Sequence, residues 1–132
     1  MADGQNGGSG RRLRILVVDD EVLIGTVVVR ILKSAHEVET TTDAAAALER
    51  MTAGERFDLI LCDVLMPRMT GMELHRRVEA LDAEQADRMW FLSGGAFTAE
   101  TRAFLERMSD RHLQKPFDAS TLRALVARIA GG

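Results

Sequence analysis

Short hydrophobic runs alternate with longer amphipathic segments along this chain. Three runs are almost continuously apolar, at residues 13–18, 57–62 and 89–92. Such runs are typical of parallel strands that are buried on both faces of a sheet. Two weaker runs, at residues 36–40 and 111–114, predict strands nearer the edges of the same sheet.

The segments between these strands predict five helices. They cover residues 22–33, 44–51, 72–81, 99–108 and 120–130. Asp43, Thr98 and Asp118 precede three of them and belong to the residue types that cap helix amino termini. Strands joined by helices imply a parallel sheet with right-handed crossovers and helices on both faces. The pattern therefore predicts a five-stranded, doubly wound α/β domain.

The first residues of the chain have a different composition from the rest. Residues 1–10, MADGQNGGSG, are rich in glycine and small polar residues, which predicts a flexible tail or linker. The whole chain has 132 residues, a length typical of one domain. We therefore expect a single folded domain over residues 11–130.

Composition and charge exclude several classes of function. Hydrophobic residues make up 46% of the chain and charged residues 28%, which is typical of a globular protein. The net charge of −3 argues against a nucleic-acid-binding surface. Cys62 is the single cysteine, which excludes an internal disulfide and a cysteine-based zinc site. Since no run approaches the ~20 apolar residues of a membrane span and no signal core begins the chain, we expect a cytoplasmic protein without membrane contact of its own.

Polar residues with useful chemistry follow the predicted strands. Asp19 and Asp20 follow the first strand, Asp63 the third, Ser93 the fourth and Lys115 the fifth. The carboxyl ends of parallel strands meet at one edge of the sheet, where open α/β sheets bind their ligands. We therefore expect these five side chains to form one site.

The residue types at that edge indicate phosphoryl chemistry on a carboxylate. Clustered carboxylates repel one another unless a cation lies between them, and their oxygens suit a hard divalent ion such as Mg²⁺. A central carboxylate such as Asp63 can act as a nucleophile and form an aspartyl phosphate. A lysine, a hydroxyl and a metal are the groups expected to stabilise the phosphoryl oxygens.

Each of these residues, taken alone, also has a purely structural interpretation. Asp19 and Asp20 could cap the next helix, and Asp63 could be a loop carboxylate. Ser93 before two glycines could be a turn residue, and Lys115 a solvated surface charge. Their coincidence at the strand ends, in the required order, favours a common site over four independent explanations.

Four motifs resemble the receiver domain of two-component response regulators. They are ILVVDDE, LILCDVLMPRMTGMEL, FLSGG and LQKPF, at the separations usual in that family. The most specific is the stretch in which Asp63 is followed four residues later by Pro67 and eight residues later by Gly71. The resemblance covers residues 11–130 and implies a flavodoxin-like fold with strand order 2-1-3-4-5.

The resemblance also implies a role for each site residue. Asp63 would accept a phosphoryl group from the phosphohistidine of a histidine kinase or a histidine phosphotransfer domain. Asp20, Asp63 and the backbone carbonyl of Leu65 would bind Mg²⁺, or Mn²⁺ in its place, and Asp19 would act on the metal through water. Ser93 would bind a phosphoryl oxygen and shift on activation. Lys115 would pair with a phosphoryl oxygen, and its bond to Pro116 would be a cis peptide that aims the lysine inward.

Two positions depart from the commoner pattern of the family. His112 stands where the family usually has a tyrosine or phenylalanine that moves with the hydroxyl switch at Ser93. Histidine is polar and titratable near neutral pH, and it is either part of this switch or an edge-strand residue that faces water. Leu65 borders the route of an attacking water, so we expect an altered phosphoryl lifetime.

The resemblance predicts a signalling switch and not a classical enzyme. The domain would support only its own phosphorylation and dephosphorylation, and its output would be a change in the face formed by the fourth predicted helix, the fifth strand and the fifth helix. That face would bind a partner or form a homodimer. FLSGGAFT and LQKPFD resemble receivers fused to hybrid histidine kinases, although a single-domain regulator fits these features equally well.

Two alternatives compete with the switch. A phosphate-independent interaction module is expected to lack one or more of the acidic residues of the site, whereas Asp19, Asp20 and Asp63 are all present. A phosphatase of the haloacid dehalogenase type would need a second acid two residues after the nucleophile, and that residue is Leu65. A nucleotide-binding site is disfavoured because no glycine-rich phosphate loop follows the first strand.

Overall fold

A computed structural model of the chain describes residues 10–95 and 98–131. Residues 1–9 of the predicted tail lie outside the described residues. Five strands form one parallel sheet in the order β2-β1-β3-β4-β5, which confirms the predicted fold class and strand order. The strands are β1 (Arg14–Val18), β2 (Glu37–Thr41), β3 (Leu59–Asp63), β4 (Met89–Ser93) and β5 (His112–Gln114).

The described residues contain one more α-helix than the sequence predicts. The helices are α1 (Val22–Leu32), α2 (Ala44–Thr52), α3 (Gly71–Leu81), α4 (Ala83–Ala86), α5 (Ala99–Arg107) and α6 (Ala119–Gly131). The unpredicted helix, α4, is a single turn that follows α3 directly and is capped by Asp82. A hydrophobic pattern cannot reveal a helix this short. Within the part of the chain that the structure describes, no helix is long and apolar enough to cross a bilayer.

Helix starts follow the capping side chains. The Asp43 and Thr98 side chains accept hydrogen bonds from backbone amides in the first turns of α2 and α5. Asp118, which directly precedes α6, accepts a hydrogen bond of 2.8 Å from the amide of Thr121 in the first turn of that helix. These bonds satisfy amides that have no partner within their own helix, so they set where the helices begin.

Two hydrophobic layers enclose the sheet. Successive residues of β1 point to opposite faces, so Leu16 and Val18 belong to the layer shared with α2, α3 and α5. Ile15 and Val17 belong to the other layer, which α1 and α6 cover. Residues 15–18 of β1 are fully buried on both faces, which explains why they form a continuous apolar run without alternation.

An ionic network lies near the amino-terminal edge of the sheet, away from the strand ends that carry the predicted site. Arg14 contacts Glu39 at 3.0 Å and Glu55 at 2.7 Å, and Arg50 contacts the same two carboxylates at 2.5 and 2.8 Å. The two guanidinium carbons lie 4.5 and 5.2 Å from the centre of the Phe57 ring. The Arg50 and Arg14 hydrogen bonds lower the pKa of Glu55 to about 2. Every charge of this network therefore has a partner of opposite sign.

Candidate functional site

The carboxyl ends of four neighbouring strands carry the predicted site residues. Asp63 and Ser93 are the last residues of β3 and β4, while Asp19 and Lys115 directly follow β1 and β5. Asp20 follows Asp19 in the loop to α1. Because the strands are parallel and in register, their carboxyl ends bring these polar groups to one edge of the sheet.

Three carboxylates form the centre of this edge. One oxygen each of Asp19, Asp20 and Asp63 lies within 4.8 Å of the other two. Asp19 and Asp63 are buried, with 2% and 7% of their surface exposed, while Asp20 is exposed. An ion can therefore reach the cluster from the side of the exposed Asp20, while Asp19 and Asp63 are poorly solvated by water.

Asp19 and Asp20 do not cap α1, which corrects the alternative interpretation of these residues. The capping position is Glu21, and its side chain makes no capping hydrogen bond. Asp19 Oδ1 instead accepts a hydrogen bond of 2.9 Å from the Glu21 amide, which fixes the Asp19 side chain over the sheet edge. The acidic pair therefore remains available for chemistry at the strand ends.

Lys115 reaches into the carboxylate cluster. Its Nζ lies 2.9 Å from Asp19 Oδ2, 3.2 Å from Glu21 Oε1 and 3.7 Å from Asp63 Oδ1. Burial by itself would lower the pKa of Lys115, but the surrounding carboxylates outweigh it and raise the pKa. The lysine is therefore a permanent cation in the site. The peptide bond between Lys115 and Pro116 is cis.

Asp63 is an unusually basic carboxylate. Burial is the main cause, and the negative charge of Asp19 adds to it, so the pKa rises to about 6. Lys115 and the Leu65 amide, whose nitrogen lies 3.4 Å from Asp63 Oδ1, act in the opposite direction. A cation beside Asp63 would favour its ionised form further, because it would offset the charge of the neighbouring carboxylates.

The Ser93 hydroxyl is paired with the predicted switch histidine. Ser93 Oγ lies 2.5 Å from His112 Nε2, across the β4–β5 ladder in which Phe91 pairs with His112 and Ser93 with Gln114. Ser93 is 3% exposed and His112 is partly exposed. His112 therefore contacts Ser93 and does not simply face water, and its part in a switch stays a prediction.

The donor set fits a hard divalent cation. Asp19 Oδ2 is fully buried and, within the described residues, has no donor aligned for a hydrogen bond, although the Lys115 ammonium is in ionic contact with it. Asp19 and Asp63 thus contact one ammonium, and the neighbouring Asp20 and Glu21 add further negative charge. Oxygen ligands and excess negative charge are what Mg²⁺ requires. The cluster is compatible with the ligand set expected from the sequence, in which Asp20, Asp63 and the Leu65 carbonyl bind the metal and Asp19 acts through water, and this assignment stays a prediction.

Gly71 holds the loop that follows Asp63. A Cβ atom at this position would lie 2.3 Å from the Asp63 carbonyl oxygen and 2.9 Å from Val64 Cα. The Gly71 amide also donates a hydrogen bond of 3.0 Å to the Val64 carbonyl. Only glycine allows the first turn of α3 to approach the end of β3 this closely, which gives the Asp63-to-Gly71 spacing of the sequence a physical cause.

Three further residues have their environment defined by the structure. Glu21 contacts Lys115. In the sequence, only its position directly after Asp19 and Asp20 indicates that it lies near the site. His75 is buried and its ring lies 5.5 Å from Phe91 and 5.8 Å from Phe104, in edge-to-face contacts. Cys62 adjoins Asp63 but is fully buried, which raises the pKa of its thiol and leaves it inert.

The comparisons with known sequences identify one family. The family described as "Response regulator receiver domain" matches residues 15–127. The chain is 36% identical over 115 residues to the DNA-binding transcriptional regulator NtrC of Azospirillum brasilense and 34% identical over 118 residues to the response regulator MprA of Mycobacterium leprae. These alignments cover 86% and 89% of this chain but 23% and 49% of the relatives. The chain thus spans less than half the length of either protein.

A third relative matches over most of both chains. This is the two-component response regulator ORR3 of Oryza sativa subsp. indica, which is 30% identical over 116 residues, or 87% of this chain and 88% of the relative. A chain that consists almost entirely of the matched region therefore also occurs among the relatives.

Solved structures agree with this family. The chemotaxis protein CheY4 of Vibrio cholerae superposes with a TM-score of 0.70 at 31% identity, over 89% of this chain and 98% of that chain. The receiver domain of the sensor histidine kinase PA1611 of Pseudomonas aeruginosa, described with a magnesium ion coordinated in its active site cleft, gives a TM-score of 0.69 at 25% identity, over 92% and 99% of the two chains.

Proposed function

The chain belongs to the response regulator receiver domain family of two-component signalling, and from this premise we propose that it is a switch operated by Mg²⁺-dependent phosphorylation of Asp63. The family is a phosphoacceptor signalling family and not one of classical enzymes. The observation that carries the proposal is the cluster of Asp19, Asp20 and Asp63 at one edge of the sheet, where Lys115 contacts Asp19 and Asp63.

Asp63 is the nucleophile of the proposed reaction. One of its carboxylate oxygens forms a bond to the phosphorus of the donor while the bond between phosphorus and the donor's leaving atom breaks. With acetyl phosphate the leaving group is acetate, and with a phosphohistidine it is an imidazole that takes up a proton from water. Its pKa of about 6 leaves Asp63 ionised at neutral pH and above, so no general base is needed to activate it.

Lys115 and Ser93 receive the negative charge that the phosphoryl group brings. Lys115 already lies 3.7 Å from Asp63 Oδ1, so a small movement takes it from the carboxylates to a phosphoryl oxygen. Ser93 supplies a neutral hydrogen-bond donor at the end of the adjacent strand. Asp20, Asp63 and the Leu65 carbonyl would hold a Mg²⁺ ion, whose contribution when bound is to neutralise charge on the phosphoryl oxygens.

The proposed partners follow from this chemistry. Receiver domains interact with histidine kinases or phosphotransfer proteins, so the proposed donor is a phosphohistidine on such a protein. The proposed output surface is the face formed by α5, β5 and α6, which would bind a partner or a second copy of the chain after phosphorylation. We propose residues 11–130 as the unit that carries these functions.

Mass spectrometry of the intact protein tests the proposal directly. Incubation with acetyl phosphate and Mg²⁺ is expected to add one phosphoryl group, and both EDTA and the Asp63→Asn substitution are expected to abolish the addition. Asp58→Asn is a matched control, because Asp58 is a partly exposed carboxylate that contacts Arg11 away from the site. Failure to form an adduct, together with failure of beryllofluoride and Mg²⁺ to bind, would instead favour the phosphate-independent interaction module.

A further inference from the structure

The short contact between Ser93 and His112 restricts where the hydroxyl hydrogen lies. Ser93 Oγ has no hydrogen-bond partner other than His112 Nε2 in the described part of the chain. A hydroxyl has a single hydrogen, and a buried hydroxyl that donates to nothing is destabilising. Donation from Ser93 to His112 satisfies it, whereas donation from His112 to Ser93 would leave the hydroxyl hydrogen without an acceptor. The described contacts therefore favour donation by Ser93 in the unphosphorylated protein.

The environment of His112 is compatible with its accepting a hydrogen bond from Ser93. Nε2 accepts only when it carries no hydrogen, which requires a neutral ring with its hydrogen on Nδ1. Burial lowers the pKa of His112, which favours the neutral ring. Nδ1 has no hydrogen-bond partner within residues 10–95 and 98–131, and the residue is partly exposed, so water can accept the Nδ1 hydrogen.

Phosphorylation imposes a conflict on this hydrogen bond. A phosphoryl oxygen is an acceptor only, so Ser93 can bind it only by donating its single hydrogen. His112 Nε2 would then lose its donor and lie against the lone pairs of Ser93 Oγ, 2.5 Å away in the resting geometry. Two acceptors at this distance repel each other unless one of them gains a hydrogen.

We propose that phosphorylation of Asp63 reverses the polarity of the Ser93–His112 hydrogen bond. Ser93 turns its hydrogen to a phosphoryl oxygen, and His112 becomes the donor through a hydrogen on Nε2. The ring loses its Nδ1 hydrogen to water and gains the Nε2 hydrogen from water, so no net proton is taken up. This inference rests on the proposed function, since it requires a phosphoryl group on Asp63.

The reversal transmits the state of the site to the surface of the domain. His112 begins β5, which is an edge strand of the sheet and forms part of the proposed output face. Its Nδ1 is a donor before phosphorylation and an acceptor afterwards. A partner that contacts this atom would therefore distinguish the two states by hydrogen-bond chemistry, without rotation of the ring.

Nuclear magnetic resonance of the imidazole nitrogens tests this inference. The full chain, labelled with ¹⁵N, is measured at pH 8 with Mg²⁺, before and after addition of beryllofluoride, and ¹⁹F resonances report independently whether beryllofluoride is bound. We expect His112 Nε2 to change from the pyridine type, without hydrogen, to the pyrrole type, with hydrogen. His36 is an internal reference, because its Nδ1 accepts a hydrogen bond from the Leu13 amide and its tautomer should remain constant.

Ser93→Ala separates this inference from simpler explanations. The variant removes the hydroxyl, so beryllofluoride that binds to it should leave the His112 tautomer unchanged. Bound beryllofluoride without a tautomer change in the original protein would overturn the inference and leave the proposed function intact, as would an equal change in Ser93→Ala. Absence of bound ¹⁹F signals in the original protein would contradict the proposed function and, with it, the inference.

Discussion

Lys115 Nζ lies closer to Asp19 than to Asp63, at 2.9 Å against 3.7 Å. The ammonium therefore compensates the most buried carboxylate of the site and is not committed to the proposed phosphoacceptor. A phosphoryl group on Asp63 would bring new negative oxygens within its reach. The site thus begins with a cation that is shared among carboxylates and can be redistributed when the charge on Asp63 changes.

Replacement of Lys115 by glutamine should affect metal and phosphoryl binding in opposite directions. Loss of the ammonium removes a charge that repels Mg²⁺, so we expect Mg²⁺ to bind more tightly by calorimetry. Beryllofluoride loses a charged hydrogen bond, so we expect its affinity to fall about tenfold or more. Lys33→Gln is the control, since Lys33 is the other lysine of the chain and is exposed. A parallel fall in both affinities would contradict this role of Lys115.

Asp63→Asn should stabilise the metal-free protein at pH 8. The folded pKa of about 6 lies above the value of about 3.9 expected in the unfolded chain, so the ionised carboxylate is destabilising above pH 6. The shift corresponds to an upper value of about 3 kcal/mol in the free energy of unfolding. The gain should shrink as the pH falls below 6, and it should also shrink when Mg²⁺ is added, in denaturation by urea.

Asp58→Asn should change the free energy of unfolding in the opposite direction in the same assay. Asp58 accepts a hydrogen bond from the Arg14 amide and contacts Arg11, and its pKa is lowered despite partial burial. Its ionised form therefore stabilises the fold, so the substitution should destabilise the protein at pH 8. Equal effects of the Asp58 and Asp63 substitutions would show that carboxylate repulsion in the site does not limit stability.

His36 should make stability fall with decreasing pH. It is 8% exposed, its Nδ1 accepts a hydrogen bond of 3.1 Å from the Leu13 amide, and burial lowers its pKa. Because the unfolded chain binds the proton more readily, the stabilising contribution is complete above pH 6.5 and declines below it, by at most about 1.4 kcal/mol per pH unit. His36→Asn retains an acceptor, so the pH dependence of its unfolding free energy should be weaker than that of the original protein between pH 7.5 and 5.

Leu65→Asn should shorten the lifetime of the phosphorylated protein. The Leu65 side chain is 44% exposed and follows Asp63 by two residues. In the proposed function, this apolar side chain borders the route of an attacking water. An amide at this position can hydrogen-bond and orient that water. We expect dephosphorylation several-fold faster, measured by loss of the phosphoryl adduct in intact mass spectra.

Leu81→Asn is the matched control for this experiment. Leu81 is 45% exposed and ends α3, whereas the start of that helix lies against Asp63. Its substitution removes a similar apolar surface at a distance from the site and should leave the lifetime unchanged. A lifetime that is unaffected by Leu65→Asn, or affected equally by both variants, would remove Leu65 from the hydrolysis route.

The sequence predicted the sheet and the position of the site because both depend on patterns within single segments. Continuous apolar runs identify β1 and β3 as buried strands, and the polar residues that end them must lie at one edge of a parallel sheet. The contact between Ser93 and His112 was not predictable in the same way. It depends on how β5, a strand of three residues with only a weak hydrophobic pattern, pairs with β4.

Burial of polar side chains was the other feature that the pattern missed. Gln85 is 2% exposed because its amide both accepts from and donates to the backbone of Phe57, at 2.9 Å in each case. These bonds anchor the short helix α4 beside the start of β3, in a segment whose composition resembles a surface loop. A single sequence does not distinguish a glutamine that meets such a partner from one that faces water.

The two edges of the sheet differ in how well their charges are matched. One edge carries the ionic network of Arg14, Glu39, Arg50 and Glu55, and the other carries the carboxylate cluster. Near the amino-terminal edge of the sheet, opposite charges are matched and enclose the Phe57 ring, so local interactions agree with the fold. At the carboxyl-terminal edge, like charges crowd together and oppose it. The carboxylate cluster lowers the stability of the fold, and the ionic network at the opposite edge raises it. Substitutions that alter the carboxylate cluster can therefore be offset in the free energy of unfolding by substitutions that strengthen the network.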